Sequence, residues 1–143
     1  MLIGLNPILG PDLLYALRSM GHGDEIAIVD GNYPADSHSK NLLRVDGLGL
    51  VPVLDAILSV IPLDIEAQSP VMRTCNYNTP DVPDQIHLDI DETIHMRYPN
   101  LTIPTNDGSL IYDRIKQCHT IVATTEQALF ANVVIKKGVV RLL

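Results

Sequence analysis

Met20-Gly21-His22-Gly23-Asp24-Glu25-Ile26-Ala27-Ile28-Val29-Asp30 sets the architecture of this chain. It reads as the end of a helix, a glycine turn carrying a histidine, a short buried strand and an aspartate at the strand's tip. Upstream, Gly10-Pro11-Asp12 opens the helix, because Pro suits a first turn and Asp12 suits the positive end of the dipole. Leu13, Leu14, Leu17 and Met20 recur at helical spacing beside Ala16, which predicts one apolar face. Gly21 is expected to supply the left-handed position that commonly closes a helix. Glu25–Val29 then has the β-branched content of a strand.

The same alternation continues downstream. Gly31 to Asn41 reads as a loop, long enough for a compact domain to suggest a functional one. Leu42-Leu43-Arg44-Val45 predicts a strand, and Val51 to Ile61 a buried helix that Pro62 closes. Val71 to Cys75 is a further strand. A helix is expected from about Pro83 to Arg97, followed by a short strand at Leu101-Thr102-Ile103. Ser109 to Cys118 predicts a capped helix, with Ser109 or Asp107 as the cap and Leu110, Ile111, Ile115 and Cys118 turned inward. Strands follow at Thr120–Thr124 and Asn132–Ile135, then a turn at Lys136-Lys137-Gly138 and a last strand from Val139 to Leu142. Strands alternating with helices imply an α/β fold, a layered sheet flanked by helices, in one domain spanning residues 1–143.

Composition narrows the function. Hydrophobic residues make up 46% of the chain but aromatics only 4%, with no Trp and one Phe, Phe130. That favours an aliphatic core over the stacking platforms of single-stranded nucleic-acid binders. A formal charge of −7, from 10 basic and 17 acidic residues, repels phosphate backbones, so no nucleic-acid partner is expected. No apolar run approaches the roughly 20 residues of a membrane span, and no secretory leader pattern opens the chain. Cys75 and Cys118 lack a CxxC neighbour and read as reduced, buried thiols of a cytoplasmic protein.

His22 is the chemical centre of the opening stretch. An unperturbed imidazole titrates near pH 6.5, so it gives and takes protons near neutrality. Asp30, past the strand, is a candidate to share one mouth of the sheet with it. The plain alternative makes His22 a solvated turn residue and Asp30 the cap of the following loop. His87, Asp89, Asp91 and His95 cluster in sequence, but no metal site is expected: HExxH and Cys/His pair patterns are absent, and a solvated acidic face explains the cluster. Lys136-Lys137 reads as a solvated turn, with no P-loop or GxGxxG before it. The GxSxG of a hydrolase elbow is also missing. Glu126 reads as a cap after its strand.

Three blocks resemble one family. They are Leu13-Leu14 through Met20-Gly21-His22-Gly23-Asp24-Glu25-Ile26 with Asp30 and Pro34-Ala35; Arg44-Val45-Asp46-Gly47-Leu48; and Ile121-Val122 through Thr125-Glu126, Ala131-Asn132-Val133-Val134 and Lys136-Lys137-Gly138-Val139. In order and spacing the chain resembles the RbsD/FucU family of fucose mutarotases and D-ribose pyranases, and looks closer to the fucose branch. The resemblance implies a cytoplasmic α/β protein in a ring-shaped homo-oligomer, typically a decamer. It implies exchange of anomers or ring forms of a free monosaccharide, fucose- or ribose-like, without a cofactor. It also implies that His22 is the acid/base group, that Asp30 holds sugar hydroxyls, and that Asn132 and Phe130 line the pocket.

Departures from the family pattern fall at Phe130, where a Tyr is usual, near Gly108, where the fucose branch carries Arg, and at Asp36 in place of a His. They motivate a second reading, a non-catalytic monosaccharide-binding or sensing protein on the same scaffold. Phe130 or Tyr112 is a candidate to reach across a subunit interface.

Overall fold

The structure is a computed structural model and describes residues 1–142. Its centre is β1 (Glu25–Val29), every residue of which after Glu25 is buried. β1 runs parallel to β5 (Thr120–Thr124) on one side and antiparallel to β6 (Val133–Lys136) on the other. β2 (Leu42–Val45) adds in parallel outside β5, while β3 (Val71–Thr74) and the two-residue β4 (Thr105–Asn106) extend the other side. The six strands lie in the order β2-β5-β1-β6-β3-β4. From these pairings β6 alone runs against the rest. The carboxyl ends of the parallel strands and the start of β6 therefore share one edge of the sheet.

Alternation along β1 separates two cores, as the period of a strand requires. Ile26 and Ile28 pack with α1 (Pro11–Ser19), α3 (Leu50–Leu58) and α4 (Gln85–His95) through Leu13, Leu17, Leu54, Ile57, Ile90 and Ile94. Ala27 and Val29 face α5 (Gly108–Lys116) and the single-turn α2 (Ala35–His38), against Ile111, Ile115 and Ala35. The expected α/β layered sheet flanked by helices is the observed architecture, and the loop expected from Gly31 to Asn41 folds α2 within it.

Several details differ from expectation. α1 ends at Met20 in an extended conformation (φ −66°, ψ 138°), and the left-handed glycine is Gly23 (φ +88°) instead of Gly21. Lys137 makes a left-handed closure unnecessary: its Nζ donates to the carbonyls of Leu17 (2.7 Å) and Met20 (2.6 Å). Lys137 is thus a helix cap, not a solvated turn residue. α3 ends at Leu58, ahead of Pro62. Residues 101–103 are irregular, and the short edge strand forms at Thr105–Asn106, where it pairs with Arg73 and Thr74. No strand forms from Val139 to Leu142. Lys137 makes an isolated bridge to Leu63 and Gly138 donates to the Pro62 carbonyl at 2.8 Å, so the chain turns away from the sheet. A Cβ on Gly138 would stand 2.6 Å from the Leu63 carbonyl oxygen, so this glycine permits a close backbone approach. Leu110, expected inward, is exposed on α5.

Candidate functional site

Asp30 follows β1 at the carboxyl edge and is 5% exposed. Its Oδ1 accepts the Asn32 N–H at 3.0 Å and its Oδ2 the Ala131 N–H at 3.1 Å. Its own N–H donates to Asn132 Oδ1 at 3.1 Å, which orients the Asn132 amide. Asn132 Nδ2 therefore points away from Asp30's backbone. No buried side-chain nitrogen or oxygen among the described residues lacks a partner, so this Nδ2, which finds none among them, is open to solvent. An anionic acceptor and an amide donor stand side by side as a result.

Both line a cavity of about 480 Å³, within the range of small-molecule sites. Phe130 and Tyr77 form one wall, ring centroids 5.5 Å apart and edge to face. Tyr33 and Tyr112 form another, 4.8 Å apart. The Tyr33 hydroxyl pairs with His38 Nδ1 at 2.8 Å, leaving the Tyr112 hydroxyl without a protein partner among the described residues. Gly108 closes the rim, its missing Cβ 3.8 Å from the Tyr112 ring. No Lys or Arg is among the lining residues.

Burial dominates the electrostatics here. It raises the Asp30 carboxyl above its ordinary value, with Glu126 adding to the effect and the amides of Ala131, Asn32 and Tyr33 opposing it. Burial likewise raises both phenols, Tyr112 further through the Asp30 charge, so each keeps its proton at neutral pH. His38 is lowered by burial and by Lys116, which favours a neutral ring beside Tyr33.

His22 sits elsewhere. Its turn is held by Gly21 N–H on Asp24 Oδ2 (2.8 Å) and Gly23 N–H on the Lys137 carbonyl (2.8 Å). The imidazole is 60% exposed, with Nε2 3.1 Å from Asp64 Oδ2, in a separate cleft of about 490 Å³ bounded by Leu58, Pro62 and Tyr98. β1 lies between His22 and Asp30. The structure thus brings Asp30, Asn132 and Phe130 together and places His22 at the amino edge of the same strand. Sequence spacing cannot show this, since eight positions apart is near in a turn and far along a strand. Asp64 and Tyr33 were not legible as neighbours of these groups, and Tyr112 was legible only as a candidate to reach across a subunit interface.

The remaining polar residues take structural partners. Glu126 Oε2 accepts the Leu50 N–H at the start of α3 and Oε1 the Ala128 N–H, each at 3.0 Å, so it caps as expected. Instead of forming a solvated face, His87 is buried and Asp91 pairs with Arg73, while His95 Nε2 lies 2.8 Å from the Leu101 carbonyl. Among the described residues no three His, Cys, Asp or Glu side chains converge as a metal site would require. No described helix is long and apolar enough to cross a membrane.

A family model described as the RbsD / FucU transport protein family matches residues 3–140. L-fucose mutarotase of Haemophilus influenzae is 34% identical over all of both chains. Fucose mutarotase of Homo sapiens is 34% identical, covering 97% of this chain and 94% of its own. Among solved structures, fucose mutarotase of Streptococcus pneumoniae in complex with L-fucose superposes with a TM-score of 0.85 at 35% identity, covering 98% of this chain and all of that one.

Proposed function

The chain belongs to the RbsD/FucU family, and from that premise we propose that it interconverts anomers or ring forms of a free, uncharged monosaccharide of the fucose type, as a cofactor-independent isomerase. One observation carries the reading: the Asp30 carboxylate and the Asn132 amide stand together at an aromatic-walled cavity. Each Asp30 oxygen has spent one lone pair on a backbone N–H and keeps another for sugar hydroxyls. Asn132 Nδ2 donates to a neighbouring hydroxyl, and Phe130 and Tyr77 cover the sugar's C–H face. A cavity with a buried carboxylate and no basic side chain disfavours sugar phosphates and uronic acids.

Ring opening needs a proton delivered to the ring oxygen while another leaves the anomeric hydroxyl. The C1–O5 bond breaks as the aldehyde forms, and closure on the other face reverses both transfers. Tyr112 offers one protonated group at the cavity. In this reading His22 of a second copy of the chain accepts the proton that leaves the anomeric hydroxyl and returns it on closure, because a solvent-facing imidazole at the far end of β1 cannot serve its own cavity. A ring-shaped homo-oligomer, a decamer by the family resemblance, would repeat that junction around its axis. Buried, unpaired Cys75 and Cys118 fit a reducing compartment, and we read the protein as cytoplasmic.

NMR exchange spectroscopy on the α and β anomers of fucose, ribose, galactose and rhamnose tests the activity. Faster exchange of at least one sugar is expected. No acceleration of any sugar would refute the enzyme, and binding without exchange would select the sensing protein, the reading that Phe130 favours by lacking a hydroxyl. The shared site has its own test. His22→Ala and Asp30→Asn chains, inactive separately, should regain about a quarter of wild-type activity when refolded together as mixed oligomers. No recovery would place both groups in one subunit's site.

The raised Asp30 carboxyl adds a pH signature. Sugar affinity should fade on acidification with a midpoint above the ordinary 3.8, and Asp30→Asn should remove that titration, as calorimetry across pH would read. Stability runs the opposite way for this group. A folded-state value above the unfolded one gives a contribution present in acid and lost as pH rises through it.

A further inference from the structure

We propose that His87, outside the cavity, is a positioning residue for the sugar site, acting on Asp30 through the single peptide group that joins Phe130 to Ala131. The inference rests on the sugar-site reading above but is carried by different contacts.

His87 occupies the third position of α4, after the capping Asp84, and is 1% exposed. The Asp84 N–H donates to its Nδ1 at 3.1 Å, so that nitrogen is the acceptor. Nε2 then carries the proton and donates to the Phe130 carbonyl at 2.8 Å. Two contacts thus settle one neutral tautomer. A capping box asks only for an acceptor at this position, which Glu or Gln provides. The histidine adds a donor pointed at the neighbouring turn.

That turn needs holding. Phe130 has φ +57°, the one described non-glycine residue at positive φ and a region that bulky side chains rarely enter. Its carbonyl receives two donors, His87 Nε2–H and the Thr74 hydroxyl, and the same Thr74 oxygen accepts the Asn132 N–H at 3.1 Å. The opposite end of the Phe130–Ala131 peptide is the Ala131 N–H, which donates to Asp30 Oδ2. A continuous chain results: His87 Nε2–H to the carbonyl, across the planar peptide, and from its N–H to the carboxylate. Donation into the carbonyl polarises the amide and strengthens its bond to Asp30. Relaxing φ at Phe130 would rotate this peptide, withdraw the N–H from Asp30 and swing the Phe130 ring off the cavity wall.

His87→Gln and His87→Glu separate the donor from the cap. Both keep an acceptor for the Asp84 N–H, but only Gln keeps an N–H for the Phe130 carbonyl. At pH 8, L-fucose binding by calorimetry should stay within about 2-fold of wild type for His87→Gln and weaken about 10-fold for His87→Glu. Amide exchange at Ala131 should quicken by a similar factor in His87→Glu alone. Equal affinity and equal Ala131 protection in both variants would overturn the proposal, and so would Gln behaving as badly as Glu. If His87→Glu does not fold, ring-nitrogen NMR on the wild type decides. A protonated Nε2 with a through-bond coupling to the Phe130 carbonyl is expected, and a protonated Nδ1 would refute it. Should the wild type bind no sugar, the sugar-site reading falls while Ala131 exchange still judges His87.

Discussion

Replacing His22 with alanine is expected to slow anomer exchange by about 10²–10⁴-fold, the contribution typical of one positioned general acid–base. Sugar affinity should change little, because His22 lies away from the groups proposed to hold hydroxyls, Asp30 and Asn132. Exchange rates against sugar concentration would therefore show a fall in kcat with KM nearly preserved. Asp64, 3.1 Å from Nε2, fixes the ring's direction, so Asp64→Asn should give a smaller loss of the same kind. A His22→Ala protein exchanging fucose at the wild-type rate would refute the role proposed for His22 even if the activity stood. Imidazole added to the His22→Ala protein offers a further check, since partial rescue would identify proton transfer as the missing step.

Asp91→Ala is expected to destabilise the fold by about 3–4 kcal/mol, read as a lowered urea midpoint. Arg73 is 6% exposed and its guanidinium meets Asp91 in a bidentate pair, Nε to Oδ1 at 2.7 Å and Nη2 to Oδ2 at 2.9 Å. Nη1 donates to the Thr74 carbonyl at 3.0 Å. Removing the carboxylate strands a positive charge in a place with little access to water. Replacing both partners, as Arg73→Met with Asp91→Leu, should recover much of the loss, because apolar side chains of similar volume need no counter-charge. The exposed Arg141–Glu66 pair serves as the control: breaking it should change stability by about 0.5 kcal/mol or less. A comparable loss at both pairs would mean that burial is not what makes Arg73 depend on Asp91.

The strands that read most clearly, β1 and β5, are those whose apolar, β-branched runs are buried on both faces. α5 was legible because Asp107 caps it by accepting the Ser109 N–H. The misread pieces are held by tertiary contacts that local pattern does not encode. β4 exists because Arg73 and Thr74 offer it an edge, and the tail leaves the sheet because Leu63 and Pro62 take its backbone. Within the candidate site, Asp30 and Asn132 were legible through the family resemblance. The distance of His22 from them was not. A strand rises about 3.3 Å per residue, so β1 alone separates its two ends by on the order of 15 Å. His87 was hidden for another reason, since its place in a capping box disguises a second hydrogen bond to a residue 43 positions away.

The ends of the sheet bear on how copies of the chain can join. At one margin β4 shows only two residues, and at the other β2 shows four, with Arg44 exposed among them. Such margins give a second molecule little backbone to hydrogen-bond with. Association by extending the sheet from copy to copy is therefore disfavoured, and with it the open-ended stacking that leads to fibres. The ring proposed above would instead be joined through side-chain surfaces, and a fixed angle between neighbours would let it close on itself at a definite size.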